Sequence, residues 1–590
     1  MNHQWISIVV TFIVCSCMLS TFTAYGSSFQ STTIDITIAY THDLHSHLYS
    51  EWTGSSCSGG MTVLSTKVQE LRALRPVLLL DCGDAMTGAP VNDHNNGIPM
   101  IEVMNAIGYD AMALDNHEFD PGVSALKDMI STANFEILSA NVDWPGDPKP
   151  LPYSIETIAG YDIGIIGLTP SFWYSPPEVV FDNLVTAANN AVSELQGLGI
   201  EFIILLGCVS SSLASSVPGL DLIVKGGSLE TIDNTLVLPS VGADASHIGV
   251  LDLTVETTDG TIDSYSFSSH SLGSSIRPDE TIVSIIDEWN EPFAAEFDTS
   301  VGYFDEDHSI NELGTLLAES IYQFTGADVG TYNFGGIRAS IDRGFVTYRD
   351  IYKMEPFFNF VATLELKGND VETIIGSNYV VTAIGSFDPS TWYTVASSNF
   401  SITDFERIYS PDTRNRQDFI TISVVNVFAE HIANEFPITP PDLLDVIDDC
   451  RSSVIAIPDS YLDGGTPSTL KALINDALLF ARNSLVTGNE TEAIAHLLTA
   501  IERIETHIVV SCPVRWFKIN IHNIISFLEL SMTTTTISSP KDYTTPTTSG
   551  EGSIFESPWT PVLLIELIIL SVSVGYVVIL RRFRGNLNRG

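Results

Sequence analysis

The chain has 590 residues, long enough for two or three domains with appendages and a sizeable core. Lys and Arg number 26 against 72 Asp and Glu, a formal net charge of −46. Such a surface repels a phosphate backbone and argues against a nucleic acid polymer as partner. A small anionic ligand would depend on local positive charge, for which bound metal ions are the obvious source.

Residues 1–26 read as a signal peptide. The apolar run Trp5 to Leu19 precedes the small residues Ala24 and Gly26, although the leading segment carries His3 and no Lys or Arg. From Ile34 to about Ser266, short apolar runs alternate with helical stretches. Strands are expected at Val77 to Leu80, Glu136 to Leu138, Ile163 to Ile166, Phe202 to Leu206, Leu222 to Val224 and Leu251 to Val255. This is the pattern of a layered α/β domain, here 32–275.

Three of the runs end in polar clusters. Ile36 to Ala39 leads into Thr41-His42-Asp43-Leu44-His45, Val77 to Leu80 into Asp81-Cys82-Gly83-Asp84, and Ala111 to Leu114 into Asp115-Asn116-His117-Glu118-Phe119-Asp120. Open α/β sheets carry their chemistry at such strand ends. Carboxylate, imidazole and amide are ligands for a divalent metal, and an Asp three residues after a His can orient its ring.

A helical stretch, Asp279 to Glu296, forms a linker over 276–300 and leads to a second α/β region, 301–418. In the next segment, 419–515, Leu470, Leu473, Ile474, Ala477 and Leu478 recur at helical spacing, as do Ile494, Leu497, Leu498, Ile501, Ile504 and Ile508. Thr466-Pro467-Ser468 starts the first helix and Val486 to Asn489 makes the turn, so a helical hairpin module is expected. Residues 530–557, rich in Thr, Ser and Pro, read as a stalk. Residues 560–580 are about the length of a membrane-spanning helix, and Arg581, Arg582 and Arg584 in the tail 581–590 mark its cytoplasmic side. The expected topology is a single-pass plasma-membrane protein with most of the chain outside the cell. Asn399 and Asn489 head N-glycosylation sequons. Cys450 and Cys512 bracket the hairpin and could be joined, while the pairing of Cys57, Cys82 and Cys208 stays open.

The motif order resembles the 5'-nucleotidase family: a calcineurin-like metallophosphoesterase domain followed by a 5'-nucleotidase C-terminal domain. The resemblance rests on Thr41 to Leu48, Leu79 to Asp84, Asn116 to Asp120, Leu138 to Val142 and Asn333-Phe334-Gly335-Gly336-Ile337-Arg338. It runs from about Ile34 to about Phe405. It implies divalent metal ions (zinc, manganese or similar) held by Asp43, His45, Asp84 and Asn116. His117 would be the catalytic group, oriented by Asp120, and Arg338, Phe357 and Phe400 would bind substrate. The implied function is that of a surface hydrolase acting on nucleotides or other phosphomonoesters.

The sequence departs from the family at two later strand ends. Cys208 stands where a metal-binding His is expected, and in Lys225-Gly226-Gly227-Ser228-Leu229 Gly227 stands where the family has a second His and Leu229 where it has a His, Asn or Gln. The metal site is therefore depleted, leaving one tightly held ion or a remodelled pair. Lys225 could offset phosphate charge, though a surface lysine is the simpler reading. Asp115 could compensate a weakened cluster, though an exposed, inert Asp is simpler. Cys208 reads as a structural cysteine. Thr403-Asp404-Phe405-Glu406 lacks the glycines of the family's ligand-binding loop. The alternative function is an inactive surface protein that keeps the fold to bind a nucleotide, a metal or a protein partner.

Overall fold

Two six-stranded sheets packed face to face form the first domain, and the apolar runs explain why. The first sheet has the order Ile262–Ser271, His247–Glu256, Thr33–Thr41, Val77–Asp81, Ala111–Ala113, Glu136–Leu138. The second has the order Glu230–Ile232, Thr235–Pro239, Leu222–Gly227, Phe202–Leu206, Tyr161–Gly167, Tyr153–Ile158. Ile36, Ile38, Tyr40, Leu78 and Leu80 from one sheet meet Ile163, Phe202, Ile204, Leu222 and Val224 from the other in a shared core. The intervening residues Ala39 and Leu79 face outward beneath helices such as Gly60–Arg72 and Ile98–Ile107. Both faces of the central strands are thus covered, which is why they read as continuous apolar runs. Every strand expected from the sequence is present. The computed structural model describes residues 33–172, 175–273, 275–409 and 413–537.

Thr33–Thr41, Val77–Asp81, Ala111–Ala113 and Glu136–Leu138 run parallel, with Thr41 paired to Asp81 and Asp81 to Met112. Their carboxyl ends therefore open side by side at one edge. Helix Glu280–Asn290, capped by the Asp279 side chain on Thr281 N, lies within the expected linker.

The second domain holds a five-stranded sheet, Asn378–Val381, Val329–Asn333, Trp392–Ser398, Phe360–Lys367, Thr413–Ser423. Helices Ile310–Thr325 and Val424–Glu435 cover one face. Gly368–Ile375 and Asn399–Tyr409 cover the other. The last strand and helix Val424–Glu435 complete this core, so the domain continues past residue 418.

Beyond it the expected hairpin is present as Pro467–Val486 and Glu490–His507, starting at Thr466-Pro467 and turning at residues 487–489. Two more helices, Pro440–Ala456 and Ser511–Ile537, join it in one apolar cluster that also takes in Trp52, Cys57, Tyr303 and Phe345. The last helix runs into the first residues of the Thr-rich stretch. Among the described residues, Cys57, Cys82, Cys208, Cys450 and Cys512 are free thiols, so Cys450 and Cys512 are not joined. Cys512 instead lies within hydrogen-bonding reach of Cys57 and Ser50, because the start of its helix docks on the first domain. Among the described residues no helix is long and apolar enough to cross a membrane. The signal at 1–26, the span at 560–580, the tail and most of the stalk lie outside the described residues.

Candidate metal centre

Three strand-end loops are laced together by their backbones. Asp43 N donates to Gly83 O at 3.0 Å, His45 N to Asp84 O at 3.0 Å, and Ser46 N to Ala85 O at 2.9 Å. Glu118, 1% exposed, ties in the third loop. Its carboxylate accepts from Asp84 N (3.1 Å), Ala85 N (2.8 Å) and Asp115 N (2.8 Å). A side chain at Gly83, where φ is +100°, would bring a Cβ to 2.8 Å from Asp115 N, so the loops approach this closely only around a glycine. Asp43, His45, Asp84, Thr87 and Lys225 all hold positive φ, between 42° and 63°. Such backbone costs on the order of 1 kcal/mol per residue and gathers where function over-determines the structure.

This lacing brings one ligand atom from each of Asp43, His45 and Asp84 within 4.8 Å of one another. Burial, reinforced by the charges of His117 and Arg338, pushes His45 down to about 3, so its ring is neutral, the form that ligates a metal. Burial opposes ionisation of Asp43, but hydrogen bonds from His42 and Lys225 with the Lys225 charge hold its carboxyl well below the usual range. Asp84, Asp115 and Glu118 are crowded; burial raises all three, helped by the charge of Asp43 at Asp84, of Asp84 and Asp43 at Asp115, and of Asp84 and Asp115 at Glu118. A cation in the triad would relieve that crowding. The residues present fit one divalent ion.

The side chains at the position of a second ion offer fewer ready donors. Asn116, half-buried, opens the short 3₁₀ turn Asn116–Phe119 beside Asp84. Cys208 is half-buried, and burial pushes its thiol up, away from the thiolate that a metal takes. Gly227 has no side chain to offer, and Leu229 is 45% exposed.

His117 sits against the triad, its backbone N donating to Asp84 Oδ1 at 2.9 Å and its ring 5.1 Å from that of His45. Its Nδ1 lies 2.7 Å from Asp120 Oδ2, and Asp120 also accepts from the Thr87 hydroxyl at 2.7 Å. Burial disfavours the imidazolium, but the hydrogen bond and charge of Asp120, with Asp84, outweigh it and raise His117. The second domain closes the other side. The Arg338 guanidinium approaches His45 Nε2 at 3.3 Å and lies 5.9 Å from the centre of the Phe357 ring. Phe357 in turn stacks on His117, with centroids 6.2 Å apart. Phe400 is half-buried at the start of helix Asn399–Tyr409, beside Ser401, whose hydroxyl donates to Asn333 of the Arg338 loop at 3.1 Å.

Two readings of the sequence are corrected here. Asp115 is 4% exposed rather than a surface carboxylate, because it caps the 3₁₀ turn in a box with Glu118. The D-x-x-E spacing at 115–118 is the signal for that box, and metal-ligand reasoning alone passes over Glu118. Lys225 is 7% exposed rather than a surface lysine. Its Nζ donates to Asp43 Oδ2 at 2.6 Å, and that pairing raises its pKa against the opposing effect of burial.

The family model of the 5'-nucleotidase C-terminal domain matches residues 295–425. The chain is 30% identical over 409 residues to the 5'-nucleotidase of Bos taurus, spanning 57% of this chain and 71% of that one. It is 29% identical over 406 residues to the Homo sapiens 5'-nucleotidase, spanning 57% and 71%. Among solved structures, the 5'-nucleotidase precursor from Thermus thermophilus matches with TM-score 0.62 at 22% identity, over 68% of this chain and 96% of that one. The 5'-nucleotidase from Candida albicans matches with TM-score 0.57 at 14% identity, over 68% and 99%. At those identities the structures speak to the fold alone, whereas the bovine match reaches 30% identity over more than two thirds of its relative's length. The chain belongs to the 5'-nucleotidase family.

Proposed function

We propose that this protein is a metal-dependent phosphomonoesterase acting on nucleotides, with a depleted centre that holds one divalent ion. The observation that carries the reading is the Asp43–His45–Asp84 triad set against the His117–Asp120 pair, with Arg338 on His45 and Phe357 on His117. An ion held by the triad, with Asn116 in the adjacent loop, would supply Lewis-acid polarisation of a phosphoryl oxygen. The chain's own groups do the rest. As water attacks phosphorus and the ester P–O bond breaks, His117, whose imidazolium Asp120 favours, gives a proton from Nε2 to the leaving oxygen. Arg338 offers its forked donors to the phosphoryl oxygens. Phe357, with Phe400 on the neighbouring helix, provides an aromatic face for a base.

The same reading divides the chain into a metallophosphoesterase-like domain, a linker helix, a C-terminal nucleotidase-like domain, a helical module, a stalk and a transmembrane helix. It puts the body outside the cell. Support for that topology comes from the sequences of residues 1–26 and 560–590. A surface protease that trims intact cells to leave only a short, membrane-bound fragment would agree with it; full protection would refute it.

A second reading, a surface binder without turnover, draws on the Lys225–Asp43 ion pair and the absence of ligand atoms on the side chains of Gly227 and Leu229. Phosphate release from nucleoside monophosphates, tested with Mn²⁺, Zn²⁺ or Co²⁺ beside His117→Ala and Asp84→Ala, separates the two. Turnover abolished by both substitutions supports the enzyme. No turnover above the variants with any metal leaves the binder.

A further inference from the structure

Lysine is rarely buried, and a charge taken out of water is costly unless it is paired. Lys225 is only 7% exposed, and its pairing is to the centre itself. Nζ lies 2.6 Å from Asp43 Oδ2, one member of the triad, and within hydrogen-bonding reach of the Cys208 thiol. The carboxylates of Asp81 and Asp115 add to the negative field around it. Its backbone is also strained by the position, since φ of +63° at the end of strand Leu222–Gly227 suits glycine better than lysine. Burial, an ion pair with a prospective ligand, and a left-handed backbone are independent observations. They coincide at one of the two strand ends where Cys208, Gly227 and Leu229 stand in place of the family's ligands for the second ion.

We infer that the Lys225 ammonium takes the place of the second divalent ion, so that a bound phosphoryl group meets one exchangeable metal ion and one fixed cation. This rests on the metal-centre reading above and deepens it. A terminal phosphoryl group carries negative charge on several oxygens. An ammonium presents three donors to them and cannot be removed by a chelator. The centre would thereby keep positive charge opposite Asp43, Asp84 and Asp115 after losing its imidazoles. The same charge repels the ion in the triad, so metal affinity and phosphate affinity are set against each other through one side chain.

The test is a pair of binding titrations on the full chain: Mn²⁺ alone, with stoichiometry from elemental analysis, and inorganic phosphate at saturating Mn²⁺. The wild type is expected to hold one ion. Lys225→Met is expected to bind that ion more tightly and phosphate more weakly, each by roughly tenfold or more, as a unit charge removed at contact distance in a partly buried site implies. Lys225→Gly, which suits the left-handed backbone, should shift both affinities the same way and guards against misfolding of the Met variant. Two ions per wild-type chain would overturn the inference. So would variants in which both affinities fall, as for a merely structural pillar, or in which neither moves. A wild type that binds phosphate through Lys225 but no metal would instead sink the metal-centre reading and leave the lysine's phosphate role standing.

Discussion

His117 is useful only while its ring is aimed, and the aim comes from Asp120, which is itself held by the Thr87 hydroxyl. Replacing His117 with Ala should lower kcat by roughly 10²–10⁴-fold, the usual worth of a positioned general acid. Asp120→Asn should lower kcat while leaving KM nearly unchanged, because Asp120 touches the imidazole and not the phosphoryl group. A KM effect larger than the kcat effect would argue against that role. Glu118 acts on geometry alone. Truncation to Ala would strand the buried N–H groups of Asp84, Ala85 and Asp115, at about 1–3 kcal/mol for each unsatisfied donor. A Tm drop accompanied by weaker Mn²⁺ binding is expected, and an unchanged Tm would refute the clamp. The D-x-H, G-D and N-H-E-F-D motifs are legible in the sequence because metal and acid chemistry restricts residue types at strand ends. The burial of Lys225 is not, since it depends on a partner 182 residues away that only folding supplies, whereas that of Asp115 carries a local signal in the D-x-x-E spacing with Glu118.

At the level of elements, the loop Glu355-Pro356-Phe357-Phe358-Asn359 must hold Phe357 against His117, and a buried carboxyl anchors it. Glu355 accepts from the Tyr332 hydroxyl on strand Val329–Asn333 and from Asn359 Nδ2 at 2.7 Å. Its Oε2 is buried with no partner. Burial pushes this carboxyl up from 4.5 to about 7, against the hydrogen bonds from Tyr332 and Asn359. Between those values the unfolded chain has released a proton that the folded chain retains. Stability should therefore fall as pH rises through that window, by roughly 3 kcal/mol for this group. Glu355→Gln, which resembles the protonated carboxyl, should flatten that part of the curve; denaturant titrations between pH 5 and 8 that show the same loss of stability for both proteins would refute it. A second element-level consequence follows from the docking of helix Ser511–Ile537. Ser511 N donates to Glu280 Oε1 at 3.1 Å, the Arg515 guanidinium lies 3.4 Å from the centre of the Tyr49 ring, and Cys512 reaches Cys57. Oxidation by a small-molecule disulfide should join Cys57 to Cys512 in non-reduced peptide maps, with Cys450 remaining alkylatable; a Cys450–Cys512 peptide would contradict this docking. The helix periodicity at 467–508 is legible in the sequence, and so is the turn between its two helices. The tertiary contact that fixes thiol proximity is not, because bracketing in sequence says nothing about which way a helix end faces.

For the whole molecule, charge governs how a ligand approaches. A net charge of −46 surrounds a site whose cationic groups, Lys225 and Arg338, are local and largely engaged with Asp43, His45 and Phe357. Beyond about 10 Å, the Debye length near 0.1 M salt, an approaching nucleotide senses the negative whole more than the positive centre. The usual salt response of an enzyme with an anionic substrate is thereby reversed. Added salt screens the long-range repulsion while leaving the buried groups almost untouched, so kcat/KM for a nucleoside monophosphate should rise severalfold between roughly 10 and 150 mM NaCl. The increase should lie in association, so a dianionic monophosphate should gain more than a monoanionic diester analogue measured by binding alone. A kcat/KM that falls steadily with salt would mean that the positive centre projects its field past the acidic surface, and the repulsive picture would be wrong. Lys225→Met discriminates further, since removing one local cation should steepen the rise if long-range repulsion governs approach.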